Sequence, residues 1–295
     1  MGSKIVKFKY AEWDGFCQIA DMPFEHILFW HQGTKLEVGF DESKLYQETL
    51  DVALRILERY HDTMKTFYLG HWEGDWLLNP PERSDQDAPQ DKIDAMVAMI
   101  NIRQRAIEFA KYAYPHATVR LYHYVEVNRV VDALDLGLAR YVNAVLPRVN
   151  PDLVSYSAYD CQRKSKPEIH RILNYIESQL NPKPSLPFSK RVFVGEFGIP
   201  AAHVGFDRNR HLCDNLEIVE KFASWGCPFV LYWEFYNNEI AKDGSPIGYW
   251  LIDEHNHPWP LHEFFQHYYR LSSTYPRQED VLWTLTSMIK GALQP

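Results

Sequence analysis

Apolar residues recur along this chain with two periods, and the two periods take turns. Short runs rich in β-branched and aromatic residues occur at residues 4–10, 25–30, 66–70, 118–125, 153–157, 191–196 and 228–233, and each reads as a strand. Between them the spacing becomes helical. Ala53, Ile56, Leu57 and Tyr60 share one face, as do Ile93, Met96, Ile100, Ile107 and Ala110. A helix is predicted over 130–146, ending before Pro147. Two more carry Ile169, Ile172, Leu173 and Ile176, then Leu212, Leu216, Val219 and Phe222. Asp41 and Asp91 stand where helix caps are expected, and Pro167 stands in a first turn.

Strands alternating with helices predict a parallel sheet, either open and doubly wound or closed into a barrel. No GxGxxG follows a strand, and no Walker loop is present. Polar residues recur just past successive strands, at Glu73, Glu126, Asp160, Glu196 and Glu234. A barrel gathers such ends on one rim, whereas an open sheet spreads them along an edge. The expected fold is therefore an α/β (β/α)8 TIM barrel. Residues 4–31 are short for two full strand–helix units, so the barrel is expected to be abbreviated or incomplete at its N-terminus. One domain is expected over residues 1–295, with a tag-like remnant at 1–3 and a helix at 274–295.

Composition narrows the partners. The 295 residues carry a formal net charge of −8 and no basic block, which argues against nucleic acid. No apolar run reaches membrane length and no signal peptide is seen, so a soluble protein is expected, its compartment left open. Cys17, Cys161, Cys213 and Cys227 form no CxxC pair and read as reduced thiols. His255 and His257 form an HxH in a late loop without the third ligand a catalytic zinc needs. No metal or other cofactor is expected.

The stretch at 191–200, RVFVGEFGIP, holds the sharpest chemistry. A buried apolar strand ends on a carboxylate, Glu196, between two glycines. Burying that carboxylate is costly unless it is paired or used. Glycoside cleavage uses two carboxyl groups flanking the scissile bond, one as acid, the other as nucleophile or base. Glu73 is the natural second member, because strands three apart face each other across a barrel mouth. Glu126 is the alternative acid. A rim salt bridge is the competing reading for either residue alone. His71, Trp72, Trp76, Glu126, Asn128, Tyr156, Trp233 and Glu234 are the candidate substrate-binding residues. The tryptophans offer flat faces for a sugar, and His71 a donor to the substrate or to Glu73. Glu234 offers a hydroxyl partner or an ion pair with Arg120.

With these residues in view, the chain resembles the clan A superfamily of (β/α)8-barrel glycoside hydrolases over roughly residues 25–270. VFVGEFG at 192–198 looks like the nucleophile motif of that group's strand seven. FVLYW at 229–233 looks like its strand eight, whose tryptophan floors the sugar site. LVSYSAY at 153–159 is similar to its strand six, with an aromatic near the nucleophile. The resemblance implies a retaining mechanism, with Glu196 as nucleophile and Glu73 as acid/base acting on a carbohydrate. One departure stands out: the group has Asn-Glu after strand four, and this chain has His71-Trp72-Glu73. That change also motivates a rival reading, a carbohydrate-binding barrel without turnover.

Overall fold

A computed structural model describes residues 5–272, apart from 11, 32 and 36. The first three residues and the helix expected at 274–295 lie outside the described residues. Seven strands, β1 (Ile5–Tyr10), β2 (His26–His31), β3 (Thr66–Gly70), β4 (Arg120–Val127), β5 (Leu153–Ser157), β6 (Val192–Phe197) and β7 (Val230–Tyr232), lie side by side in chain order. Every pairing is parallel. Parallel neighbours need a crossover, and helices supply it. These are α1 (Trp13–Ala20), α2 (Glu42–Arg59), the short α3 (Gly74–Leu78), α4 (Gln90–Ala113), α5 (Val130–Leu136), α6 (Lys166–Ser178), α7 (Arg208–Ala223) and α8 (Pro260–Ser272).

The sheet curls strongly. In a flat sheet β2 and β7 would lie about 24 Å apart, at roughly 4.8 Å per strand. Instead the His26 and Phe229 rings are 5.3 Å apart, and those of Trp30 and Trp233 are 6.1 Å apart. Among the described residues no ladder joins β7 to β1. The expected abbreviated barrel is thus a seven-stranded one, with its seam between the last strand and the first.

Strand alternation sorts the side chains into two faces. Ile27, Phe29, Phe67, Leu69 and Leu121 point outward against α1, α2 and α4. Val125, Val127, Val154, Val192 and Val194 point outward against the later helices. Leu28, Trp30, Tyr68, Tyr122, Tyr124, Leu153 and Phe193 fill the interior. The polar interior residues described below sit above this plug, toward the C-terminal strand ends.

Asp41 caps α2, accepting the Lys44 N–H at 2.9 Å. Ser165 and Glu168 form a capping box on α6, with Pro167 in its first turn. The segment 13–20 forms a helix, α1, so two strands and a helix fit into the short N-terminal stretch. Two expectations need correction. Asp91 lies within the first turn of α4, which starts one residue earlier, directly after Pro89. The helix expected over 130–146 stops at Leu136, where Gly137 takes a left-handed conformation with φ 71°. A separate π-type turn follows at Tyr141–Val145, because Asp75 takes the Tyr141 N–H at 2.7 Å.

Candidate active site

Glu196 reaches the interior through an irregularity in β6. Ser155 pairs with Phe193 and Tyr156 with Val194, but Ser157 pairs with Glu196. The extra residue is a bulge, which lets Gly195 and Glu196 both turn inward. Gly195 has no room for a side chain: a Cβ there would lie 1.9 Å from Ser155 Oγ, 3.0 Å from Glu126 Oε2 and 3.1 Å from Lys7 Nζ.

Glu73 sits just past β3 with φ 22°, a conformation that L-residues rarely adopt, and its surroundings hold it there. Its N–H donates to Glu126 Oε1 at 3.1 Å. Gly74 packs its bare Cα against the Tyr141 ring. Asp75 accepts the backbone N–H groups of Asn128, Arg129 and Tyr141, and its own N–H donates to Asn128 Oδ1. The Glu73 loop is thereby stapled to the end of β4.

The two expected catalytic carboxylates meet. Ser157 Oγ donates to Glu73 Oε1 at 2.6 Å and lies 3.4 Å from Glu196 Oε2. Those two contacts laid end to end keep the two oxygens within about 6 Å. Glu73 and Glu196 are both buried but reach the surface, at 8% and 4% exposure. On the far side of Glu196 stands Lys7, from β1. Its ammonium lies 2.7 Å from Glu126, 3.3 Å from Glu196 and 4.6 Å above the Trp30 ring.

Burial dominates the electrostatics. It pushes Glu196 up to about 8; Glu126 and Glu73 add to the rise and Lys7 opposes it. Burial likewise pushes Glu73 up to about 7, against the Ser157 hydrogen bond that favours its ionised form. Burial alone would lower Lys7, but Glu126 and Glu196 outweigh it and hold the ammonium above its ordinary value. Lys7 is therefore a fixed cation, not an amine free to attack a carbonyl. Glu234, past the end of β7, is also raised by burial, to about 7.

The remaining expected site residues divide. Trp72 is exposed on the rim, and Trp233 is half-buried against Trp30, with its indole N–H on Glu239 at 3.1 Å. The Trp233–Glu234 peptide is cis. Trp76 is half-buried under the Arg129 guanidinium. Glu234 accepts the Asn238 N–H and does not pair with Arg120, which begins β4 at the opposite end of the sheet.

Four residues have protein partners in place of the expected substrate. Glu126 is fully buried and bound to Lys7, Ser155 and the Glu73 N–H. Asn128 belongs to the Asp75 staple. Tyr156 points outward into the helix layer, its hydroxyl donating to Asp160, because strand alternation gives the interior to Ser155 and Ser157. The aromatic near the carboxylates is Tyr159, in electrostatic reach of both and edge-on to Tyr249. His71 is buried, bonded to Tyr141 Oη and the Trp72 carbonyl, and held neutral, down to about 4, by burial and Arg103.

The four cysteines are free. His255 and His257 are exposed on a turn whose N–H groups Asp253 accepts. Among the described residues no cluster of His, Cys, Asp or Glu is arranged to hold a metal ion, and no helix is long and apolar enough to cross a membrane.

Solved structures share the curled parallel barrel. A β-glucuronidase 2 of Bacteroides uniformis, covalently bound to cyclophellitol-6-carboxylate aziridine, superposes with a TM-score of 0.57 at 9% identity over 90% of this chain and 31% of that one. A GH39 enzyme from Xanthomonas axonopodis pv. citri gives 0.55 at 12% identity, over 92% and 66%. The GH53 catalytic domain of Ignisphaera aggregans gives 0.52 at 9% identity, over 89% and 84%. The chain thus spans about a third of the glucuronidase's length. No family model matches it, and no curated protein matches its sequence. These likenesses place the fold among (β/α)8 barrels of the kind found in glycoside hydrolases, as the sequence resemblance led one to expect.

Proposed function

We propose that the protein is a retaining glycoside hydrolase acting on β-linked sugars, with Glu196 as nucleophile and Glu73 as acid/base. The single observation that carries this is the Ser157 hydroxyl in reach of both carboxylates. Retaining enzymes hold the pair about 5–5.5 Å apart, whereas inverting enzymes leave roughly 6.5–9.5 Å for a water. A span within about 6 Å favours direct attack.

In this reading Glu196 attacks the anomeric carbon as Glu73 gives its proton to the leaving oxygen. The resulting glycosyl ester is hydrolysed by water, which Glu73 now deprotonates. Burial lifts Glu196 further than Glu73, yet the positive charge developing on the sugar ring lies against the nucleophile and favours its ionised form. Lys7 works in the same direction. Trp72 and Trp233 are the aromatic faces available to the sugar.

The test is a screen of β-glycosides and glycans followed by NMR of the first-formed anomer. Retained configuration, with turnover abolished in Glu196→Ala, is the expected result. An inverted product would remove the nucleophile role. Binding without product in the wild type would make the protein a carbohydrate-binding barrel instead.

A further inference from the structure

Glu126 is a fully buried carboxylate that the proposed reaction does not use. Its two oxygens divide their work. Oε1 accepts the backbone N–H of Glu73 at 3.1 Å. Oε2 accepts Lys7 Nζ at 2.7 Å and Ser155 Oγ at 2.5 Å. The same ammonium lies 3.3 Å from Glu196. One side chain on β4 therefore touches the backbone of one proposed catalytic residue and the counter-ion of the other.

We propose that Glu126 is a positioning residue that sets both proposed catalytic carboxylates at once, fixing the Glu73 backbone through Oε1 and the Lys7 charge against Glu196 through Oε2. The inference rests on the roles proposed for Glu73 and Glu196. Three arguments support it. Glu73 is held at a positive φ, which must be imposed from outside the residue, and Glu126 Oε1 is the acceptor on its N–H. A buried lysine needs a buried anion, and the Glu126 contact is the shorter of its two. Finally, Gly195 leaves open the space where Lys7, Glu126 and Ser155 meet; a Cβ there would lie 3.0 Å from Glu126 Oε2 and 3.1 Å from Lys7 Nζ.

Two substitutions separate the two tasks. Glu126→Gln keeps an oxygen for the Glu73 N–H and removes the charge. Glu126→Asp keeps the charge and shortens the reach to Glu73. The readout is ¹³C NMR titration of Glu73 and Glu196 in protein labelled at glutamate Cδ, with signals assigned through Glu73→Gln and Glu196→Gln. It runs alongside the pH profile of kcat/KM on aryl β-glycosides.

Glu126→Gln is expected to lower both carboxyl titrations by about one pH unit, since a neighbouring negative charge is lost and Lys7 turns wholly to Glu196. The pH profile moves to the acid side with it. Glu126→Asp is expected to leave the Glu196 titration in place and to lower kcat about tenfold or more with little change in KM. Unmoved titrations in Glu126→Gln overturn the proposal, as does an equal loss in both variants with an unshifted pH profile. If Glu126→Gln does not fold, Lys7→Met is the second probe, expected to move the Glu196 titration up; an unmoved signal again overturns the proposal. The NMR arm needs no turnover. A wild type that cleaves no glycoside would sink the proposed function and leave this proposal still decided by the titrations.

Discussion

The Ser157 hydroxyl donates to the Glu73 carboxylate at 2.6 Å, from the strand beside the one that carries Glu196. A donor on the ionised form lowers a carboxyl's pKa, and this one offsets part of the burial that lifts Glu73. Ser157→Ala should therefore raise Glu73 further and push the alkaline limb of the activity profile to higher pH. Losing one such bond should cost kcat/KM about tenfold, from roughly 1–2 kcal/mol. An alkaline limb that stays in place would contradict the assignment of Glu73 as the acid.

Activity should follow a narrow bell. The pair shares one proton between about 7 and about 8, whichever carboxyl holds it. Below that window both are protonated and no nucleophile remains; above it both are ionised and no acid remains. A kcat/KM profile flat from pH 5 to pH 9 would rule out this pair as the acid and nucleophile.

Stability should fall as pH rises. Glu196 is raised in the folded protein from 4.5 to about 8, so the folded state binds the proton more tightly than the unfolded one. That contribution is fully present below about 4.5 and is lost as pH rises through about 8. Glu196→Gln carries no charge to bury. It should match the wild type near pH 4 and exceed it near pH 9 by a few kcal/mol, seen as a Tm higher by several degrees. Equal melting temperatures at pH 9 would show that the folded protein does not penalise this charge.

Gly195→Ala should be severe. Its Cβ would need the space held by Ser155 Oγ, 1.9 Å away, and would crowd Glu126 and Lys7. Either β6 shifts or the polar cluster opens, and overpacking of this kind typically costs about 1–3 kcal/mol. Denaturant titration should report the lower stability, with loss of activity exceeding what unfolding explains. A variant as stable and as active as the wild type would show that the bulge is not built around this glycine.

The repeating units and the strand-end carboxylates were legible in the sequence because each depends on local pattern. Glu196 announced itself as a charge closing an apolar strand between glycines. Lys7 did not. It shares a face of β1 with Ile5 and Lys9, while Val6, Phe8 and Tyr10 make up the apolar face. That pattern reads as apolar inside and lysine in water, yet in a barrel the apolar face meets the helices and the other face lines the interior. The same inversion misplaced Tyr156 and hid Ser155 and Ser157. The Asp75 staple, which also shortens the helix expected after Val130, joins three segments distant in sequence. No spacing rule finds such a partnership. His71 was expected to donate to the substrate or to Glu73, but its direction depends on Tyr141, 70 residues away.

The seam gives Lys7 a particular exposure to motion. It stands on β1, which among the described residues is tied by a ladder to β2 alone, whereas Glu196 stands on a strand with a neighbour on each side. An outermost strand frays more readily than an inner one. When β1 frays, the ammonium leaves and the carboxylates face one another without their cation. The amide exchange rate of Phe8 would thus report how often the site loses its charge balance, tying the chemistry of an inner strand to the breathing of an outer one.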